Sequence, residues 1–160
     1  MPRFVNDTRI LALAGAQAVL RAAISEAERI GAPMCVSVVD AGGNLLAFAR
    51  MDGSKALSVI SSRTKAETAA LSGEPTGGAN ADVELQISLA SAGRWTNLIG
   101  GLPIIIEGHL IGAVAAGSGT GPQDLAVARA GAAAIEGAEM FEGFVFRGAE
   151  DTGFARNDPR

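Results

Sequence analysis

Charged side chains near the middle of the chain have the chemistry needed to bind or transform an organic acid. Arg63, Lys65 and Glu67 lie close together, and Lys65 is one of only two lysines in the chain. A guanidinium or an ammonium group holds a carboxylate through charge-assisted hydrogen bonds, and a carboxylate such as Glu67 can act as a general base. A solvated helix face is the other interpretation of the same residues, and the sequence leaves both open.

Two further acidic residues are candidate bases, and an arginine is a candidate ligand-binding residue. Asp40 precedes the glycines of a predicted turn, where an aspartate also commonly bonds to backbone N–H groups. Asp124 lies near the start of a predicted helix, where the helix dipole favours a negative charge. Arg50 follows the same turn at a distance, and its alternative role is a weak surface ion pair with Asp52.

His109 is the only histidine, and the chain has no tyrosine. An imidazole bond to a metal or to haem iron must therefore use His109. The preceding Glu107-Gly108 pair is typical of a turn, so a solvated histidine is the alternative. Cys35 lies in an apolar run and is expected to be a buried small hydrophobe. A single cysteine excludes an internal disulfide.

The run Gly117-Ser118-Gly119-Thr120-Gly121 precedes a predicted helix, where free backbone N–H groups can bind an anion. The run lacks the Lys-Ser/Thr pair of a phosphate-binding P-loop, and Pro122 replaces the third glycine of the dinucleotide motif. A flexible loop that allows a close backbone approach is the alternative interpretation.

Composition restricts the class of protein. The 160 residues suit one domain, and 48% apolar with 19% charged residues exclude a disordered chain. A net charge of −4 argues against nucleic acid as a partner. Because no apolar stretch reaches membrane length and no leader is visible, we expect a cytoplasmic protein without a membrane partner. Abundant alanine and glycine favour close subunit contact and hence a homo-oligomer.

Hydrophobic spacing and turn residues place the elements that must position these side chains. We expect helices over 8–30, 57–71, 82–92 and 123–138, and strands over 34–39, 45–49, 102–107 and 110–116. The strands read as two hairpins, so the chain is predicted to form an α+β domain with an antiparallel sheet. Residues 1–143 form this single domain, and residues 144–160 are expected to be a polar tail.

The ordered set of motifs resembles the GlcG/HbpS family, which includes the C-terminal domain of PduO-type proteins, over residues 33–137. The segments that carry the resemblance are Val-Val-Asp-Ala-Gly-Gly-Asn-Leu at 38–45, Arg-Met-Asp-Gly at 50–53, Thr-Lys-Ala-Glu-Thr-Ala at 64–69, Gly-Gly-Leu-Pro-Ile at 100–104, Gly-His-Leu-Ile-Gly-Ala-Val at 108–114 and Ala-Arg-Ala-Gly at 128–131.

The resemblance implies a five-stranded antiparallel sheet flanked by helices, with a profilin-like appearance, and it implies homo-oligomers. Some members of the family bind or degrade haem, and others are encoded beside catabolic operons. The chain departs from the family pattern in three places. Its first predicted helix has no histidine, and the strand end reads Ala116-Gly117-Ser118-Gly119 instead of Gly-Val-Ser-Gly. The loop at 73–93 has an unusual content of glycine and aspartate.

Three functions follow as hypotheses. The first is a small-molecule-binding protein, with haem as its cofactor or ligand; the second is a cofactor-free catabolic enzyme (an isomerase, lyase or hydrolase) acting on an organic acid; and the third is an oligomeric accessory protein. The predicted catalytic residues are Lys65, Glu67 and Asp40. The predicted ligand-binding residues are Arg50, Arg63, Lys65, Thr68, Gly100, Gly101, Gly117 and Ser118, and the predicted metal ligand is His109.

Overall fold

The computed structural model describes residues 2–147, which form a four-stranded antiparallel sheet with four helices. The helices are Leu13–Arg29 (α1), Ser58–Ser72 (α2), Ala81–Ala90 (α3) and Gly121–Ala132 (α4). The strands are Cys35–Asp40 (β1), Leu45–Arg50 (β2), Gly101–Ile106 (β3) and His109–Gly117 (β4). Among the described helices, none is both long enough and apolar enough to cross a membrane.

Two hairpins build the sheet, as predicted, in the strand order β2-β1-β4-β3. The first turn is closed by Asp40, whose Oδ1 accepts the N–H groups of Gly42 and Asn44, each at 2.9 Å. The second turn consists of Glu107 and Gly108, with φ values of +49° and +76°. Positive φ at both central residues matches the twist of the flanking strands. Because β1 and β4 are antiparallel neighbours, both turns lie at the same end of the sheet.

The expectation of a fifth strand, which came from the family resemblance, is wrong for the described residues. The chain between the hairpins forms α2 and α3 instead of another strand. Along the free edge of β3, the described chain makes one isolated bridge between Ile106 and Ala138, and the N–H of Glu139 donates to Ile105 O at 2.9 Å. A single bridge is too short to count as a strand, whereas the α+β class and the antiparallel pairing are confirmed.

Helix α1 begins later than its hydrophobic pattern predicts. The chain before Leu13 is not helical, because the N–H of Leu11 donates to Ile111 O of β4 at 3.2 Å and Arg9 pairs with Glu107 at 2.8 Å. These contacts hold the segment against the second hairpin, and the N-cap of the helix is Ala12, which makes no side-chain capping bond. The buried residues of α1 follow helical spacing on one face: Ala16, Val19, Ala23 and Ala27.

The two faces of the sheet are covered differently. Helices α1 and α4 pack on each other and on one face, in a core that includes Val36, Val38 and Val114. On the opposite face, α2 packs on β1, β3 and β4 through a smaller cluster of alanines and one valine, namely Val39, Ala66, Ala69, Ala70, Ala113 and Ala115. The small side chains bring the backbone of α2 close to the strands.

Helix α4 starts with a capping box. Gln123 N–H donates to Thr120 Oγ1 at 3.3 Å, and Thr120 N–H donates to Gln123 Oε1 at 2.9 Å. The helix ends at Ala132, earlier than predicted, and the chain continues in turns. Farther on, Phe144 and Phe146 make an edge-to-face ring contact. Residues 148–160 of the predicted tail lie outside the described residues, so the domain bounds stay a prediction.

Candidate functional site

The first charged cluster is an ion pair buried between α2 and α4, which we call the buried pair. Lys65 Nζ lies 2.6 Å from Asp124 Oδ2 and donates to Ala116 O at 3.0 Å. Asp124 Oδ1 accepts the N–H of Gly119 at 2.9 Å. Each side chain of the pair is only 5% exposed. Both charges are thus neutralised and hydrogen-bonded inside the protein, as buried ions require.

Burial governs the protonation of Asp124. Desolvation raises the pKa of its carboxyl group above the ordinary value of 3.8, while the Lys65 ammonium and the Gly119 N–H act in the opposite direction. A raised pKa is a property of many general bases. Here, however, the closest partner of the carboxylate is the lysine side chain, and both members of the pair are sealed from solvent.

Gly100 and Gly101 pack directly against the buried pair where β3 begins. An added Cβ at Gly100 would lie 2.6 Å from the Cβ of Asp124, and one at Gly101 would lie 2.6 Å from the backbone oxygen of Lys65. The protein itself therefore fills the space beside these two glycines. Their predicted role in ligand binding stays a prediction, and the geometry gives them a role in close packing.

Gly117 and Ser118 lie at the end of β4, next to the start of α2. An added Cβ at Gly117 would lie 3.1 Å from Ser61 Oγ. Ser118 has a φ of +106°, and its Oγ accepts the N–H of Lys55 at 2.9 Å. These contacts tie the end of the strand to the segment that leads into α2. A ligand-binding role for both residues stays a prediction.

The second charged cluster, which we call the arginine cluster, consists of Arg63, Glu67 and Arg94. The Nε of Arg63 lies 3.2 Å from Glu67 Oε1, and the Nε of Arg94 lies 3.5 Å from Glu67 Oε2. The Glu67 side chain is 9% exposed, whereas each arginine side chain is 55% exposed. A carboxylate that is nearly buried therefore orients two guanidinium groups that face solvent.

Thr68 connects α2 to the chain segment that carries Arg94. Its hydroxyl donates to Thr64 O at 2.8 Å and accepts the N–H of Thr96 at 3.0 Å. The second bond fixes the segment that carries Arg94 against α2. Thr68, predicted to bind ligand, is thus placed beside the cluster with its hydroxyl already engaged.

The sequence grouped Arg63, Lys65 and Glu67, and the structure separates them. Residues four apart share a helix face, whereas residues two apart do not. Arg63 and Glu67 therefore meet, while Lys65 points toward α4. The sequence reasoning did not include Arg94, which lies after α3 in a segment without a clear pattern. The spacing of Arg63 and Glu67 could have revealed their contact, but no local signal identifies Arg94.

Asp40 and Arg50 lie at opposite ends of the first hairpin. Desolvation raises the pKa of Asp40, but hydrogen bonds from Asn44 and Gly42 outweigh it, so that its pKa lies below the ordinary value of 3.8. The turn-closing role of Asp40 is confirmed. Arg50 is exposed and pairs in the sheet with Cys35. The catalytic roles predicted for Asp40, Lys65 and Glu67 stay predictions, and each of these groups has separate protein partners.

His109 and Cys35 differ in accessibility. His109 is exposed at the first position of β4, opposite Ile106. Cys35 is buried, and its Sγ lies 3.5 Å from Ser54 Oγ. Within residues 2–147, no group of three or more histidine, cysteine, aspartate or glutamate side chains is arranged to hold a metal ion. A metal role for His109 would thus be that of a single protein ligand.

Comparison with known proteins places the chain in a family. A model of the family described as "Haem degrading protein HbpS-like" matches residues 11–133. The chain belongs to the HbpS-like family. It is 37% identical to protein GlcG of Escherichia coli K12 over 106 residues, which cover 66% of this chain and 79% of GlcG. The family resemblance inferred from the sequence motifs is confirmed.

Solved structures agree with the HbpS-like assignment. Klebsiella pneumoniae protein ORFY has a TM-score of 0.76 and 28% identity, covering 84% of this chain and 96% of that one. PduOC in complex with haem has a TM-score of 0.75 and 26% identity, covering 82% and 98% of the two chains. HbpS has a TM-score of 0.74 and 31% identity, covering 84% and 98%. The HbpS-like region of this chain includes both charged clusters and His109.

Proposed function

We propose that this protein binds haem. The observation that carries the proposal is its similarity to PduOC in complex with haem, which extends over nearly the whole of that chain. The match to a family described as haem-degrading supports the same ligand. A bound haem would supply iron-centred redox chemistry, and the residues of this chain would hold and orient it.

The side chains present fit a haem held through one imidazole. His109 is exposed, so its ring is accessible to an iron atom. Tyrosine ligation is impossible because the chain has no tyrosine, and the Sγ of Cys35 is buried against Ser54. We therefore propose that His109 would bind the haem iron.

Absorbance titration tests the proposal. Full-length protein, titrated with haem in its ferric form, is expected to shift the Soret band away from the position of free haem and to saturate at about one haem per chain. His109→Ala is expected to move the band of the complex, because the imidazole that would bind the iron is lost. Glu107→Gln, two residues before His109, is a matched control that should retain the wild-type spectrum.

Two results would contradict the proposal in different ways. A Soret band that stays at the position of free haem would overturn haem binding itself. A shifted band that is identical in the wild type and in His109→Ala would retain haem binding and remove His109 as its ligand.

We also propose that the protein assembles as a homo-oligomer. Helix α3 supports this proposal because it has no buried residue among the described ones, although it carries four large apolar side chains, which are Val83, Leu85, Ile87 and Leu89. Exposed apolar patches of this kind favour association. Native mass spectrometry is expected to detect oligomers that Leu85→Glu weakens, whereas a wild-type monomer at working concentration would contradict the proposal.

A further inference from the structure

We infer that Arg63, Glu67 and Arg94 form a binding site for the carboxylate group of a small organic molecule. The inference does not depend on haem binding, because the same site can hold a free organic acid. Glu67 is a positioning residue in this site, and the two arginines make the contact with the ligand.

The hydrogen-bond pattern of the cluster leaves donors for a ligand. Each arginine contacts Glu67 through its Nε, and within residues 2–147 the Nη groups of Arg63 and Arg94 make no hydrogen bond. Two guanidinium groups around one carboxylate leave the cluster positively charged. Arginine forms paired hydrogen bonds with carboxylates through such a planar set of donors. The cluster is therefore complementary in charge and geometry to an added carboxylate.

Contacts with the rest of the protein hold the cluster in place. Glu67 is nearly buried on α2, and the hydroxyl of Thr68 binds the N–H of Thr96 at 3.0 Å. The N–H of Arg94 donates to Ser91 O at 3.1 Å. Because the two arginines are already ordered before a ligand binds, less side-chain conformational entropy is lost on binding. An ordinary pair of surface arginines lacks this support.

The surroundings of the cluster favour an organic anion over an inorganic one. The first hairpin turn approaches the cluster at Gly43, where an added Cβ would lie 3.7 Å from Arg94 Nη2 and 3.7 Å from Leu71 Cγ. Leu71 is exposed, and Leu45, the residue after the turn, is exposed as well. A molecule whose carboxylate meets the arginines can thus place its carbon skeleton against apolar side chains.

Two sources can supply the carboxylate: a propionate of haem or a free organic acid. His109, the first residue of β4, and Gly43, in the first hairpin turn, lie at the same end of the sheet, so a haem on His109 would lie toward the end at which the cluster is found. Parallel titrations with succinate and with haem separate the two sources.

The single tryptophan provides the measurement. Trp95 follows Arg94 in the chain, and no tyrosine contributes to the emission. Full-length protein at low salt is titrated with succinate, a short dicarboxylate, while the fluorescence of Trp95 is recorded. We expect a saturable change with succinate and none with its dimethyl ester, because the ester has no charge for the arginines to bind.

Variants locate the binding site. Arg63→Gln and Arg94→Gln are each expected to weaken succinate binding by about tenfold or more, the usual effect of losing a charge-assisted hydrogen bond. Arg21→Gln removes an exposed arginine of α1 and is the matched control, expected to bind as the wild type does. Glu67→Gln makes the cluster more positive, and it should nevertheless weaken binding because the arginines lose their orienting group.

Several outcomes would overturn the inference. These are the absence of a saturable response in the wild type, an unchanged affinity in the Arg63→Gln/Arg94→Gln double variant, and tighter binding by Glu67→Gln, which would indicate simple charge attraction.

A parallel titration with haem and with its dimethyl ester identifies the source of the carboxylate. Weaker haem binding in the double variant, without the same loss for the ester, identifies a propionate as the source, and an unchanged haem affinity with a lost succinate response identifies a free acid. A succinate response without a Soret shift would refute haem binding and support the carboxylate site.

Discussion

Helix α2 contributes residues to both the buried pair and the arginine cluster, and these two charged groups differ in their exposure to solvent. Lys65 and Asp124 are sealed between α2 and α4, and each side chain is 5% exposed. Arg63 and Arg94 stand half exposed around Glu67, although Glu67 is only two positions from Lys65 along the helix. A helix presents residues two apart to different sides, so one helix contributes both to a buried ion pair and to a cluster at the surface.

The comparison shows that charge alone does not identify a functional site. In the buried pair, Lys65 and Asp124 bond to each other and to backbone groups of Ala116 and Gly119. In the arginine cluster, the carboxylate of Glu67 contacts only the Nε atoms of Arg63 and Arg94. The Nη donors of the two arginines therefore remain available to a ligand. We therefore expect changes in the buried pair to alter stability and changes in the arginine cluster to alter binding.

Breaking the buried pair is expected to have the largest effect on stability. Lys65→Met leaves Asp124 buried without its counter-ion, which costs about 3–5 kcal/mol of unfolding free energy. The double variant Lys65→Met/Asp124→Leu removes both charges and should recover most of that loss. Urea unfolding measures both, and a single-variant loss below about 1 kcal/mol would mean that the pair is not sealed.

Overfilling the space beside the pair is expected to have the next largest effect. Gly100 has a φ of +122°, and an added methyl group would lie 2.6 Å from the Asp124 Cβ, so Gly100→Ala should cost about 2–4 kcal/mol from overpacking and backbone strain together. Gly31→Ala is the matched control, because Gly31 has a φ of +66° with no atom within 4 Å of an added Cβ. It should lose only the strain, about 1–2 kcal/mol. Equal losses in urea unfolding would contradict close packing at Gly100.

Removing the negative charge of Glu67 from the arginine cluster is expected to affect stability only slightly. Glu67→Gln should lower the unfolding free energy by less than about 1 kcal/mol, since both arginine partners are half exposed and solvent screens the interaction. Thermal or urea unfolding at two salt concentrations checks the value. A loss as large as that of Lys65→Met would show that this cluster, too, mainly stabilises the fold.

The smallest expected effect is the pH dependence contributed by Asp40. Its pKa in the folded protein is below the ordinary value of 3.8, so its ionised form stabilises the fold above that value. This contribution is lost as the pH falls through the lowered pKa. The difference in unfolding free energy between the wild type and Asp40→Asn should therefore shrink between pH 6 and pH 3. A difference that stays constant or grows would contradict the turn-closing role of the carboxylate.

Much of the fold could be predicted because its signals are local. The turn residues around Asp40 and Gly108 identified both hairpins. The predicted start of α1 was wrong because the hydrogen bond from Leu11 to Ile111 is a tertiary contact that no helical pattern reveals. The prediction of a fifth strand was wrong because it came from the family resemblance and not from any strand-like run in this chain.

The site was harder to predict because its partners are distant in sequence. Lys65 and Asp124 were both singled out, but their pairing across two helices was not. Glu67 and Arg63 are one turn apart and belong together by helix geometry. Arg94 meets them only because the segment after α3 returns to α2 through the bond between Thr68 and Thr96. No local sequence pattern indicates that contact.

The most direct test of the account is to observe the arginine side chains during ligand binding. Nuclear magnetic resonance resolves the Nε–H signals of individual arginines, assigned through the Arg63→Gln, Arg94→Gln and Arg21→Gln variants. With added succinate, the signals of Arg63 and Arg94 are predicted to move and to saturate together, while that of Arg21 stays in place. A uniform drift of all arginine signals, or shifts of other arginine signals without those of Arg63 and Arg94, would contradict the assignment of the arginine cluster as a binding site.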